Sequence, residues 1–340
     1  MTGKRILWLD NARAFAILLV ILVHATECIY TMNTTGLNSL SLESRLFAIS
    51  TFSIGRLGVP IFLFLTGYLF LDRVFTSDKC IRFWKKNWLS LVITTEIWIV
   101  LYDVFLRLFH FTPHWNTMNL IKDMFFLTQV NMGHMWYMSM IIGMYPCIPF
   151  IARGLQNLNT KLLTFPLLFY LTYAFFTTDG FVLDLGFSGG VYGIYIVLGY
   201  CVKKGLLKSF GKYQLLIVSG MFTSFVILKQ AYFCTHGGIS MVWYDSGLLL
   251  MAALFLFEYI SRIHIIGKQM WWNWLSRNSF GIYLVHYPFI MLLSNLLKRL
   301  PTIMPLKVAL LWLIVLAISV IICWGIDHFP RLSKILLYNR

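Results

Sequence analysis

LWLDNARAFAILLVILVHATECIY, residues 7–30, decides how the rest of the chain is read. The run is apolar enough to cross a bilayer, which takes about 20 residues of helix. It nevertheless carries Asp10, Asn11, Arg13, His24 and Glu27. On a helix Arg13 and His24 stand three turns apart on one face, about 16 Å from each other along the axis. Ile17 and Val20 lie between them, and Asp10 and Glu27 flank the stripe within about 60°. Ionisable groups inside a spanning helix are costly and usually face a protein interior or a watery cavity. The stripe is therefore a candidate site. Asp10–Arg13 and His24–Glu27 equally suit structural pairs that hold a bundle together, and the residues alone leave both readings open.

The chain has 340 residues, 59% of them hydrophobic and 12% charged, with a mean hydropathy of +0.75. Soluble domains average about 25% charged residues. This composition predicts an all-α, polytopic membrane bundle, with one membrane domain over 1–340. Ten apolar runs are long enough to be spans: 6–29, 50–71, 88–109, 134–152, 162–178, 188–202, 213–231, 241–260, 278–297 and 305–326. The segment 119–130 is too short to span and suits an interfacial helix. The net charge of +15 reads as basic cytoplasmic loops rather than a nucleic-acid surface. With both termini cytoplasmic, most lysines and arginines fall inside, among them Lys79, Arg82, Lys85, Lys86, Lys203, Lys204, Lys208 and Lys212. The first run lacks a small-residue cleavage site, so it is expected to remain as an anchor. The six cysteines have no paired or zinc-type spacing, and no metal is expected. Cys28 and Cys234 make one conceivable disulfide.

Other runs carry polar residues of their own. Gly58, Pro60 and Gly67 in the second permit a kink or a close helix approach. After it, IRFWKKNW holds Arg82, Lys85 and Lys86, with Arg82 and Lys85 on one face if the segment is helical. Loop bias alone accounts for these charges, though with Trp84 and Trp88 they also suit phosphates and a purine ring. Glu96 and Asp103 lie in the third run, and Arg56 is a candidate partner for Glu96. His134 and Trp136 open the fourth run at the outer interface. His286 lies inside the ninth, where a lone histidine more often makes a hydrogen bond than does chemistry. In the first run Arg13 stays ionised and matches phosphate geometry. His24 is a candidate general base, and Glu27 is placed to orient it.

Four motifs then stand in order: LDNARAFAILLVILVHA, VPIFLFLTGYLF, HMWYMSMIIGMYPCIPF and SFGIYLVHYPF. Together they resemble the acyltransferase-3 family of integral membrane acyltransferases, which modify surface or exported glycans. The resemblance implies an acyl-CoA donor, often acetyl-CoA, arriving from the cytoplasm. It implies His24 as the catalytic residue with Glu27 beside it, and Arg13, with Asp10, as the donor-binding end. Arg82 and Lys85 would correspond to a family arginine pair, with Lys86 next to them. Tyr68, Glu96, Trp136 and His286 would line the site. Many members carry glutamate where Ile141 stands here, which places the chain nearer a branch that includes bacterial polysaccharide O-acetyltransferases. The expected location is the bacterial cytoplasmic membrane, among membrane lipids, with a glycan or lipid-linked glycan as acceptor and the oligomeric state open. The alternative is a transporter or flippase for such a glycan, its polar stripe lining a permeation path.

Overall fold

No proline or glycine interrupts residues 7–29, and they form one helix, α1 (Leu7–Ile29). At 1.5 Å per residue it is long enough for a hydrocarbon core of about 30 Å. The computed structural model describes residues 6–112, 117–128, 130, 132–156, 191–236, 241–263 and 269–338. The run expected over 162–178 lies outside them. Seven helical stretches among the described residues are long and apolar enough to cross a bilayer. The chain is a multi-pass, all-α membrane protein.

After α1 come α2 (Leu42–Gly55), α3 (Gly58–Phe70), α4 (Leu89–Leu108), α5 (Trp136–Met144), α6 (Val191–Lys203) and α7 (Lys212–His236). The series ends with α8 (Gly247–Arg262), α9 (Gln269–Arg277), α10 (Ser279–Lys298), α11 (Met304–Asp327) and α12 (Pro330–Leu336). The run expected at 241–260 begins its helix only at Gly247, and the segment 119–130 holds a short helix, Thr117–Met124. α1 is the hub: α2, α3, α8, α9, α10 and α11 all pack against it. Lipid is as apolar as a leucine side chain, so helices gain by close approach rather than by hiding from water. Accordingly Ala12, Ala14, Ala16 and Ala25 of α1 are fully buried.

Glycine makes the tightest crossing. A Cβ on Gly67 of α3 would stand 1.7 Å from the Ile196 carbonyl oxygen, and one on Gly199 of α6 would stand 2.0 Å from that of Phe64. The two helices touch backbone to backbone. Gly55 likewise meets α1 at Val23, which a Cβ would approach to 2.7 Å. Pro60 has no N–H for the carbonyl of Arg56, and the helix breaks there, α2 ending at Gly55 and α3 starting at Gly58.

Two further prolines leave orphan carbonyls inside the bundle, and aromatic donors near or on α4 take both. Pro146 cannot serve the carbonyl of Ile142, which accepts from Trp88 Nε1 at 3.0 Å instead. Pro288, inside α10, cannot serve Leu284, which accepts from the Tyr102 hydroxyl at 2.7 Å. Buried in lipid, such carbonyls must find protein donors. Trp84 Nε1 similarly donates to Pro146 O at 3.2 Å, so both tryptophans bracket helices rather than lie open for a purine.

The basic loops meet at one end of the bundle. Lys203 pairs with Asp72 at 3.3 Å and Lys204 joins the same carboxylate. Arg262 donates to Leu207 O at 2.8 Å, and Arg277 pairs with Asp327. At this end α12 is fastened to α4 through main-chain acceptors. Thr94 Oγ1 donates to Ile335 O and Trp98 Nε1 to Leu336 O, each at 2.8 Å. The cysteines are free, so no Cys28–Cys234 disulfide forms; Cys234 Sγ instead donates to Asn38 Oδ1.

Candidate active site

His24 lies deep on α1, 9% exposed. Its Nδ1 donates to Glu27 Oε2 at 2.9 Å, and the other oxygen, Oε1, accepts from Arg56 Nη2 at 2.7 Å. A carboxylate only accepts, so the proton of neutral His24 sits on Nδ1 and Nε2 carries the lone pair. Among the described residues, Nε2 has no hydrogen-bond partner. Arg56, only 2% exposed, is held in turn by the Tyr244 hydroxyl at 3.2 Å and by the Trp243 ring, 4.4 Å from its guanidinium carbon. This corrects the expectation that Arg56 pairs with Glu96. The break before Pro60 and the contact of Gly55 with Val23 set Arg56 beside α1, one turn from Val23, where Glu27 stands. Glu96 keeps a buried Oε2 without a partner, and Asp103 binds Arg107 at 2.8 Å.

Two more histidines close on His24. The ring centroids of His286 and His134 lie 5.4 Å and 6.4 Å from it, and 5.2 Å from each other. Tyr287 lies 5.2 Å from His24 and stacks on His134 at 4.6 Å. His134 is fully enclosed rather than at an interface, 1% exposed. His286 Nδ1 donates to Tyr283 O at 2.6 Å, which leaves Nε2 as an acceptor. The Tyr102 hydroxyl donates its hydrogen bond to Leu284 O, so its oxygen accepts from His134 Nε2 at 3.3 Å, and His134 Nδ1 becomes the acceptor. Both acceptor nitrogens are buried without a donor. Three imidazoles thus gather in one place, each with an unshared lone pair and none able to satisfy another. Among the described residues, no group of three or more His, Cys, Asp or Glu is arranged to hold a metal ion.

Toward the basic end lies a cavity of about 520 Å³. Arg13, Ser276 and Arg277 mark its polar side, and Phe62, Leu65, Leu69 and Phe280 its apolar wall. Leu337 and Tyr338, just after α12, complete one side. Val20, one turn before His24, and Tyr283, whose hydroxyl donates to His134 O at 2.5 Å, also line it. The cavity therefore follows the face of α1 from Arg13 to Val20, one turn short of His24. Arg277 also lines a neighbouring surface groove with Lys85, Lys86 and Lys334. A chain of cations leads from the surface to Arg13. Asp10, buried, accepts from Arg13 at 3.2 Å and from Ser276 Oγ at 2.8 Å, tying α1 to α9.

The sequence-selected residues divide accordingly. His24, Glu27 and His286 come together, as do Arg13 and Asp10, while Lys85 and Lys86 reach the groove. Trp136 joins through rings, 5.4 Å from Trp243 and 5.3 Å from Tyr244. Arg82 is exposed and lines neither opening. It ends a short helix, Ser77–Phe83, before a π-helical turn at Trp84–Trp88 in which Leu89 N–H reaches back to Trp84 O. That wider turn breaks the face Arg82 would have shared with Lys85. Tyr68 packs instead on Trp8 at 4.9 Å and beneath Lys203. Glu96 lines neither opening. Arg56, His134, Tyr102, Trp243 and Arg277 were not selected for the site by sequence. Only the arginines gave a signal, as charges in or beside apolar runs.

A family model described as an acyltransferase domain matches residues 6–328. No curated protein and no solved structure matches the chain.

Proposed function

The chain belongs to this acyltransferase family, and on that premise we propose that it moves an acyl group, acetyl in the simplest case, from acyl-CoA to a sugar hydroxyl of a cell-envelope or exported glycan. The observation that carries this reading is the line from His24 through Glu27 to Arg56, one helical turn beyond Val20 in the wall of a cavity that holds Arg13 and Arg277. Glu27 holds the proton on His24 Nδ1, so Nε2 is free to take one, and Arg56 holds Glu27 in place. The unshared lone pairs of His134 and His286 call for a donor, which a water molecule or the acceptor hydroxyl supplies.

In the reaction, the sugar oxygen attacks the thioester carbonyl while its proton passes to His24 Nε2. The carbon–sulfur bond then breaks, the electron pair leaves with the CoA sulfur, and the imidazolium returns the proton to it. Free CoA and the sugar ester result. Arg277, Lys85, Lys86 and Lys334 suit the nucleotide phosphates of the donor, and Arg13 suits the diphosphate or the thioester. The pantetheine arm would then run from Arg13 past Val20 to His24, three helical turns along α1. A donor entering from the cytoplasm puts the basic end inside, in a bacterial cytoplasmic membrane.

His24→Ala tests the proposal directly. The variant is expected to stay folded in the membrane while acylation of surface glycans, read by mass spectrometry, disappears. Retained acylation removes His24 from the chemistry. Saturable glycan transport without consumption of thioester would favour a transporter instead.

A further inference from the structure

On the side of Arg56 away from His24 the rings are assembled around an ion pair. Trp136 has Tyr192, Trp243 and Tyr244 at 5.5, 5.4 and 5.3 Å between centroids, and Trp243 lies 5.2 Å from Tyr244. Interfacial tryptophans and tyrosines often serve only to anchor a protein at the lipid headgroups. These converge, drawn from α5, α6 and the non-helical approach to α8, and they are cross-tied by a hydrogen bond from Trp243 Nε1 to the Tyr192 hydroxyl at 3.2 Å. Trp243 is 40% exposed, so the cluster has an open face. Arg56 stacks beneath it, and its Nε is buried with no partner. A buried, unpaired guanidinium N–H is costly and marks a place where an acceptor atom belongs.

A pyranose ring fits this combination. One of its faces is a patch of C–H groups that packs on indole and phenol rings, while its rim of hydroxyl oxygens accepts from donors such as a guanidinium. Local charge decides which sugars are welcome. The Arg56 charge is already matched by Glu27 at 2.7 Å, and Asp245 lies close to Tyr192. Asp245 has Lys229 as a counter-charge, so among the described residues the charges here balance and a neutral sugar is favoured. Through Arg56 and Glu27 these rings connect to His24 by a continuous line of contacts.

We propose that Trp136, Tyr192, Trp243 and Arg56 form the acceptor subsite, a stacking platform for a neutral pyranose that brings one of its hydroxyls within reach of His24. The inference rests on the acyl-transfer reading above. It adds which face of the bundle the glycan uses: the face opposite the basic groove, so donor and acceptor approach His24 from different ends.

The test uses the full-length protein in detergent, acetyl-CoA, and oligosaccharides released from the surface glycan of the producing organism. Trp243→Ala is expected to raise the acceptor KM roughly tenfold, the loss of about 1.4 kcal/mol of ring contact, with the donor KM unchanged and kcat within about threefold. Trp243→Phe restores most of the affinity. Binding of the same oligosaccharides without donor, followed by calorimetry, should weaken by the same factor. An unchanged acceptor KM in Trp243→Ala overturns the platform while leaving acyl transfer standing. A fall in kcat with no change in KM also overturns it, because Trp243 would then act only through Arg56. If the unmodified protein binds the oligosaccharide but acylates nothing, the acyl-transfer reading fails and the platform remains. If it neither binds nor acylates, both fall.

Discussion

Replacing Glu27 with glutamine keeps the side-chain shape and removes the charge, and the two neighbours of Glu27 fix how the new amide must sit. Arg56 can only donate, so the amide oxygen turns to Arg56, where Oε1 now accepts at 2.7 Å. The amide nitrogen is left facing His24 Nδ1, where Oε2 now accepts at 2.9 Å. A donor at that position makes Nδ1 an acceptor and moves the imidazole proton to Nε2. The base is then blocked at the atom that has to receive the proton. Restoring the working tautomer requires flipping the amide, which gives up a hydrogen bond to a charged group, worth about 1.5–3 kcal/mol. It also sets amide and guanidinium donors face to face, at a similar cost. The competent state thus lies about 3–5 kcal/mol higher, or roughly 10²–10⁴ in kcat at about 1.36 kcal/mol per decade. Glu27→Ala, which leaves the imidazole free to choose its tautomer, should keep more activity than the glutamine variant. Release of free CoA thiol by purified protein, at saturating donor and acceptor, measures both. A glutamine variant with kcat within threefold of the parent refutes the reasoning, and so does an alanine variant slower than glutamine.

Two other perturbations follow from the same geometry. Arg277→Ala and the double change Lys85→Ala, Lys86→Ala should raise the KM for acyl-CoA with little change in kcat; the lysine effect should fade as salt rises, since exposed charges are screened, and a salt-independent effect would mean packing. Gly67→Ala should lower the melting temperature of the detergent-solubilised protein by an amount equivalent to about 1–3 kcal/mol or more, the range for overpacking. Gly143→Ala, where a Cβ meets nothing within 4 Å, is the matched control and should leave it unchanged.

The first helix was legible because its evidence is local. A period of 3.6 residues puts Arg13, Val20 and His24 on one face, and a three-residue step puts Glu27 against His24, so those neighbours follow from the covalent order. The bundle was legible for a similar reason, since hydropathy and loop charge act span by span. Arg56 was not. It sits in a break between α2 and α3, and the direction in which a break turns a side chain depends on what the next helix offers, here Val23 behind Gly55. His134 was read as interfacial because it opens its span; the Tyr102 hydroxyl, drawn to the carbonyl that Pro288 leaves open, draws it inward. Arg82 was read through an α-helical period that a π-helical turn does not keep. In each case the deciding partner lies far along the chain, where spacing carries no information.

The fastening of α12 has a consequence for how a protein of this design diversifies. Thr94 and Trp98 grip the carbonyl oxygens of Ile335 and Leu336, atoms that every amino acid possesses. The attachment is therefore blind to mutation at those two positions. Leu337 and Tyr338, immediately beyond, line the cavity, and the Tyr338 hydroxyl adds a tie of its own to Asn87 O at 2.9 Å. A substitution at 337 alters one wall of the cavity while the two main-chain ties of the clasp stay shut. Genetic drift at this position thus has a route to a differently shaped cavity that never passes through an unfastened helix.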